Sequence, residues 1–116
     1  MIIKKLNDVP FEDMGDHESM TKQIVIGSKD GSKEMVLRFF SLGPGARSPY
    51  HTHPFPHIVH VVQGTGMVTD RNGNKHSLSS GDFIYVDDNE QHCFENTGKD
   101  KFDFYCTVPA RGEVLK

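Results

Sequence analysis

The chain has 116 residues, 35% hydrophobic and 25% charged, with a formal net charge of -3 spread along its length. That length suits one domain with a modest core built without disulfides. The lack of a basic patch argues against a nucleic-acid partner, and no apolar run reaches the roughly 18 residues of a spanning helix or forms a signal-peptide core, so no membrane partner and a cytoplasmic location are expected.

From the N-terminus, residues 2–6 read as an outlying strand whose edge must be covered, and residues 9–20 as polar, irregular chain. Short runs rich in β-branched and aromatic residues then occupy 35–42, 58–63, 67–69, 83–86 and 102–108. Turn signals separate them: Asp30-Gly31, Gly43-Pro44-Gly45, Gly64-Thr65-Gly66, Asn72-Gly73, Ser80-Gly81 and Thr97-Gly98. Many short strands at even spacing read as an antiparallel sandwich or barrel. Asn72-Gly73 predicts a hairpin with a two-residue type I′ turn, which needs φ > 0 at both central positions. No segment carries a helical period, so the fold class is all-β.

Four of the seven histidines fall in a suggestive pattern: His51, His53 and His57, then His92. Imidazole is the commonest metal ligand at neutral pH. On a strand, His51 and His53 would point to one face, roughly 6.5–7 Å apart at the backbone. His57 cannot continue that strand, because four more residues would carry it roughly 13 Å away. Pro54-Phe55-Pro56 resolves this. Two prolines break the ladder, so the chain bends and a new strand starts near His57. His92 arrives from elsewhere in the sheet, after the turn-like Asp87-Asp88-Asn89-Glu90. The set predicts one bound divalent ion.

This arrangement resembles the cupin superfamily. The first family motif, Gly-x5-His-x-His-x3,4-Glu-x6-Gly, is matched by Gly45, His51, His53, His57 and Gly64. The second, Gly-x5-Pro-x-Gly-x2-His-x3-Asn, is matched by Gly81, Asp87, Asn89, His92 and Asn96. His57 stands where the family usually has glutamate, and Asp87 and Asn89 replace proline and glycine; Asn tolerates left-handed backbone. The run His51-Thr52-His53-Pro54-Phe55-Pro56-His57 is similar to a subgroup of small single-domain cupins that hold their metal with four histidines. The resemblance implies a jelly-roll barrel (a double-stranded β-helix) with little or no helix. It divides the single domain 1–116 into an N-terminal strand region 1–28, a barrel 35–108 and a tail 109–116, and it implies pairing as a homodimer.

Four neutral imidazoles leave the ion's positive charge uncompensated and favour an anionic ligand. Manganese or iron is expected from the resemblance; imidazoles also suit zinc, nickel, cobalt and copper. In part of an octahedron they leave two adjacent positions open, unlike a closed structural zinc site, which usually includes thiolates. By strand parity Phe94 lies on the face of His92, and Val59 and Val61 on that of His57, while Phe102, Phe104 and Cys106 share a face. Val59, Val61 and Phe102 read as core; Phe94, Phe104 and Cys106 are candidates to line a substrate pocket. Arg38 is the candidate to orient a substrate carboxylate, with a surface arginine as the alternative. Cys93 points away from His92. It and Cys106 are spaced too widely for a CxxC pair and read as reduced thiols. His17, His60 and His76 read as surface residues.

Three functions fit this chain. The leading one is a metal-dependent oxidoreductase, dioxygenase-like, acting on a small organic molecule. The second is non-redox Lewis-acid chemistry, such as an isomerase or sugar-acid enzyme, whose activity would survive zinc replacement. The third is a ligand-binding module without turnover. No residue is placed by the sequence well enough to be assigned as a catalytic acid or base.

Overall fold

The structure is a computed structural model that describes residues 1–14 and 19–113. Nine strands form: β1 (Phe11–Glu12), β2 (Met20–Ile26), β3 (Met35–Leu42), β4 (His57–Gln63), β5 (Thr65–Thr69), β6 (Lys75–Ser79), β7 (Phe83–Val86), β8 (Cys93–Asn96) and β9 (Phe102–Pro109). One sheet runs in the order β1-β2-β3-β9-β4-β7 and the other β6-β5-β8, with every pairing antiparallel. Chain 46–51 lies along β8 as an irregular fourth strand of the smaller sheet, through bridges Arg47↔Glu95 and His51↔His92. The only helical elements among the described residues are three single 3-10 turns, and no helix there is long and apolar enough to cross a membrane. The result is the expected jelly-roll barrel.

Alternation drives the assembly. Along β9, Phe102, Phe104, Cys106 and Val108 are buried while the residues between them are half-buried. This is the period-2 pattern of a strand with one face on a core. The register sets Phe102 opposite Leu42, Phe104 opposite Phe40, Cys106 opposite Arg38 and Val108 opposite Val36. On the other side of β9, Cys106 pairs with Val59 and Phe104 with Val61. Leu42, Val59, Val61 and Phe102 are fully buried. Truncating such a residue to alanine typically costs about 2–5 kcal/mol. The outward face of the same sheet leaves Ile58, Phe83 and Tyr85 exposed, and His60 stacks on Phe83 there at 4.3 Å.

Three local expectations change. Residues 2–6 form no strand. The backbone turns through a 3-10 element at Leu6–Asp8, closed by Asp8 N–H to the Lys5 carbonyl at 3.0 Å. Gln23 holds this segment against β2 instead, donating its amide to the carbonyls of Leu6 (3.1 Å) and Val9 (3.0 Å). Within 9–20, expected to be irregular, Phe11–Glu12 pairs with β2 and makes the sheet edge. The hairpin at Asn72-Gly73 forms between β5 and β6, but without a type I′ turn, because Gly73 has positive φ and Asn72 does not. Asp70 accounts for the difference: its carboxylate accepts the N–H groups of Asn72 (2.9 Å) and Asn74 (3.0 Å). That favours a type I turn closed by a left-handed glycine.

Gly64 and Gly73 both have positive φ, yet their surroundings differ. A Cβ at Gly64 would run into the Lys101 carbonyl, whereas one at Gly73 meets open space. Gly73→Ala should therefore cost only the left-handed penalty of about 1–2 kcal/mol, and Gly64→Ala about 2–4 kcal/mol once the clash is added. Urea unfolding of the two variants checks the ranking; equal losses would contradict it.

Candidate metal centre

The ligand cluster is assembled by two turns and one bridge. His51 and His53 do not lie on a regular strand as expected. His51 is an isolated bridge residue, and His53 lies in the connection before the Pro54-Phe55 bend. The prolines prevent a continuous ladder, so the pair is aimed by tertiary contacts rather than by pleat. As anticipated, the bend ends where β4 begins, at His57. His51 and His92 exchange backbone hydrogen bonds, N–H to carbonyl, at 3.2 and 3.1 Å. Asn89 sits at φ 59 and donates its N–H to the His53 carbonyl at 2.8 Å. The residue that replaces the family glycine thus keeps its left-handed turn, and the turn fastens the His53 loop to the His92 loop.

The ligand atoms of His51, His53 and His92 lie within 4.8 Å of one another. His57 stands beside them, its Nε2 3.2 Å from His92 Nε2 and its ring 4.9 Å from that of His53. Second partners fix which nitrogen faces inward. His92 Nδ1 lies 2.8 Å from the Glu90 carbonyl and His53 Nδ1 3.0 Å from the Phe55 carbonyl. A carbonyl only accepts, so both Nδ1 atoms carry the proton and both Nε2 atoms present lone pairs. The His53 ring is further held by stacking on Phe55 at 4.1 Å. Three convergent neutral imidazoles suit a divalent transition ion.

His57 is positioned differently. Its Nδ1 lies 3.0 Å from Cys106 Sγ, and Arg38 Nη2 donates to the same sulfur at 3.0 Å. In one tautomer His57 donates Nε2–H to His92 and accepts the thiol proton at Nδ1. Shifting the ring proton to Nδ1, toward sulfur, frees the Nε2 lone pair to join the cluster.

Burial lowers the basicity of this group. His57 is brought down to about 3 by burial first, then by the charges of His92, His53, Arg38 and His51. His92 is lowered by burial, partly opposed by the Glu90 carbonyl, and His51 by burial and His53. Burial also pushes the Cys106 thiol up, against the lowering influence of Arg38. His57 therefore stays neutral through the ordinary pH range, and burial biases His51 and His92 in the same direction.

The cluster opens into a cavity of about 310 Å³. Its walls are largely apolar, formed by Met14, Met20, Phe40, Phe55 and Phe104, with Arg38, Lys22 and Cys106 among the polar lining. Of the residues expected to line a pocket, Phe104, Cys106 and Arg38 do so. Phe94 instead packs behind the rings, 6.0 Å from His92 and 5.0 Å from Phe104, and is 4% exposed. Arg38 faces inward and is no surface residue, its guanidinium 5.1 Å above the Phe40 ring. His76 is on the surface, paired with Asp70 at 2.8 Å, and His17 lies outside the described residues. Sequence reasoning missed Lys22 and Glu113. Lys22 shares the parity of Met20 and Ile24 on β2, a readable signal had that strand been recognised; Glu113 carried none.

The Cupin domain family matches residues 38–108. The chain belongs to this family. Among curated relatives it is 24% identical over 106 residues to auxin-binding protein 1 of Arabidopsis thaliana, covering 84% of this cupin and 53% of that protein. It is also 43% identical over 54 residues to the HTH-type transcriptional activator RhaS of Yersinia pestis, covering 47% of this chain and 19% of the activator. It thus spans about half of the first relative and a fifth of the second. Among solved structures, the polyketide cyclase RemF from Streptomyces resistomycificus superposes with a TM-score of 0.87 at 23% identity, over 95% of this chain and 80% of the cyclase. KdgF from Halomonas sp. superposes at 0.79 with 21% identity, over 96% of each chain. Likeness at these identities establishes the fold.

The sign of the pH dependence follows from the lowered histidines. In the metal-free protein His57 binds a proton more readily unfolded, near 6.5, than folded, near 3. Stability is therefore full above pH 6.5 and falls as pH drops toward 3, by up to about 1.4 kcal/mol per pH unit from this residue. Thermal melts of the metal-free protein between pH 7.5 and pH 5 should show Tm falling with pH, and His57→Gln should flatten that slope. An unchanged slope would show that His57 is not held neutral.

Proposed function

We propose that this cupin is a metal-dependent enzyme acting on a small organic substrate at a centre formed by His51, His53, His57 and His92. The observation that carries the reading is the convergence of the Nε2 atoms of His53 and His92, each fixed by an Nδ1–H donated to a carbonyl, at the floor of an apolar cavity. In this reading the fourth ligand is His57, brought in through the tautomer that donates Nδ1–H to Cys106. The ion would be manganese or iron, and would supply Lewis acidity and one-electron redox capacity. The chain's own residues do the rest. Phe40, Phe104, Met14 and Met20 exclude water and receive the apolar part of the substrate, while Arg38 receives a polar end. The chemistry proposed is dioxygen-dependent oxidation.

A second reading, non-redox chemistry with the ion as Lewis acid alone, is favoured by similar solved structures, which include a polyketide cyclase and an ectoine synthase. Oxygen uptake during turnover by manganese- or iron-loaded protein supports the first reading. Equal activity under anaerobic conditions and with zinc supports the second. A ligand recovered unchanged in every case would make the protein a binding module. The cytoplasmic location and the homodimer remain part of this proposal; light scattering giving a monomer mass would remove the dimer.

Ligand removal gives a sharper test of the four-histidine set. Changing an orienting outer partner alone typically costs 10–100-fold in metal affinity, so losing a ligand should cost at least about 100-fold. His92→Gln and His57→Gln should both reach that loss, measured by competition with a chromophoric chelator. A His57→Gln variant with unaltered affinity would reduce the set to three histidines.

A further inference from the structure

Lys22 and Arg38, on the wall of the same cavity, belong to a second group that the metal chemistry does not use. Glu113 Oε1 is 2.8 Å from Lys22 Nζ and 3.3 Å from Arg38 Nη1. All three side chains are largely withdrawn from water, at 18%, 12% and 16% exposure for Lys22, Arg38 and Glu113. Two cations share one carboxylate oxygen, which leaves a net positive charge in a low-dielectric setting. The described residues that line the cavity include Lys22 and Arg38 and no carboxylate.

Arg38 is the less satisfied of the two. Its contact with Glu113 is longer than the 2.7–2.9 Å of a good charge-assisted bond. Its Nη2 is spent on the Cys106 sulfur, a weak acceptor. Its buried Nε finds no acceptor among the described residues. A buried guanidinium lacking a full set of acceptors is costly, and an incoming anion relieves that cost. The neighbouring walls are flat and apolar, with Phe40 and Phe104 stacked at 5.5 Å.

We propose that Arg38 and Lys22 form a carboxylate subsite, that Glu113 occupies it as an internal stand-in, and that the ligand of this cavity is a small flat organic acid whose carboxylate displaces Glu113. The inference rests on the small-molecule reading above and deepens it. The acid's carboxylate sits on Arg38 and Lys22, its apolar body lies against Phe40 and Phe104, and its far end reaches the histidines. Arg38 and His57 both contact one thiol, each 3.0 Å from Cys106 Sγ, so the subsite and the ligand cluster are adjacent within the cavity.

The test is calorimetric titration of the zinc-loaded full chain with benzoate and with benzamide, its neutral isostere. Benzoate should bind at least about tenfold more tightly than benzamide. Arg38→Gln and Lys22→Gln should each weaken benzoate by about tenfold, a single buried charge–carboxylate bond being worth about that much. Glu113→Gln should tighten it severalfold, because the competing carboxylate is gone. Zinc content, measured on every variant, separates this proposal from the metal reading. If zinc fails to bind, the metal reading falls, while the benzoate–benzamide difference can still be read on the metal-free chain. Should Arg38→Gln unfold, Arg38→Lys and Lys22→Gln carry the comparison. Equal binding of acid and amide, no saturable binding of either, benzoate affinity unmoved in the cation variants, or weaker binding in Glu113→Gln would each overturn the proposal. Benzoate held only by the zinc would show as the third of these.

Discussion

Two backbone hydrogen bonds between His51 and His92 fasten a proline-bent loop to the distant histidine, which lies just before β8. Everything at the cavity floor follows from that clasp. Without it His51 and His53 would be free ends of a connection between β3 and β4. With it, their rings stand 5.2 and 5.0 Å from the ring of His92. The left-handed Asn89 turn adds a second tie through the His53 carbonyl. Orientation is then completed by carbonyls of Phe55 and Glu90, both close in sequence to the histidines they steer. Local chain therefore aims the rings, and one long-range bridge brings them together.

The barrel behind this floor is less demanding. Along β9 and β4 buried residues alternate with more exposed ones, and that pattern turns one face of the sheet toward the shared core. Apolar burial holds the sheets together. At the cavity the same face changes character: Arg38 and Lys22 occupy inward positions on β3 and β2 that elsewhere would be filled by aliphatic residues. A fold normally tolerates buried cations only where something negative compensates them. Here that compensation is partial, with one Glu113 oxygen shared between the two cations and the Arg38 Nε left without an acceptor among the described residues.

Most of the fold was readable from the residues. Strands at 35–42 and 83–86 match their observed bounds, because β-branched and aromatic runs between strong turn signals leave few alternatives. The histidine cluster was readable as well, since the prolines at 54 and 56 force a bend at the place where parity fails. What escaped had a physical cause in each case. The segment at 2–6 looks apolar enough for a strand, yet its partner bonds come from the Gln23 side chain, which no periodicity reveals. The Asn72-Gly73 turn changes type because Asp70 caps it. Phe94 satisfies the parity expected of a cavity residue, but ring packing against Phe104 places it one layer behind. Glu113 lies seventy-five positions from Arg38, a separation at which sequence carries no signal of contact.

The four histidines are mounted on two kinds of support. His57 opens β4 and His92 adjoins β8, so both are set by sheet ladders. His51 and His53 ride on a connection whose shape depends on prolines and a few tethers. Exchanging a donor on that connection, for instance an oxygen ligand at position 53, would alter the softness and charge of the cage while leaving the ladder bonds intact. Under the proposed metal reading, donor identity at this centre is thus separable from the architecture, since it is set by one short stretch outside the ladders.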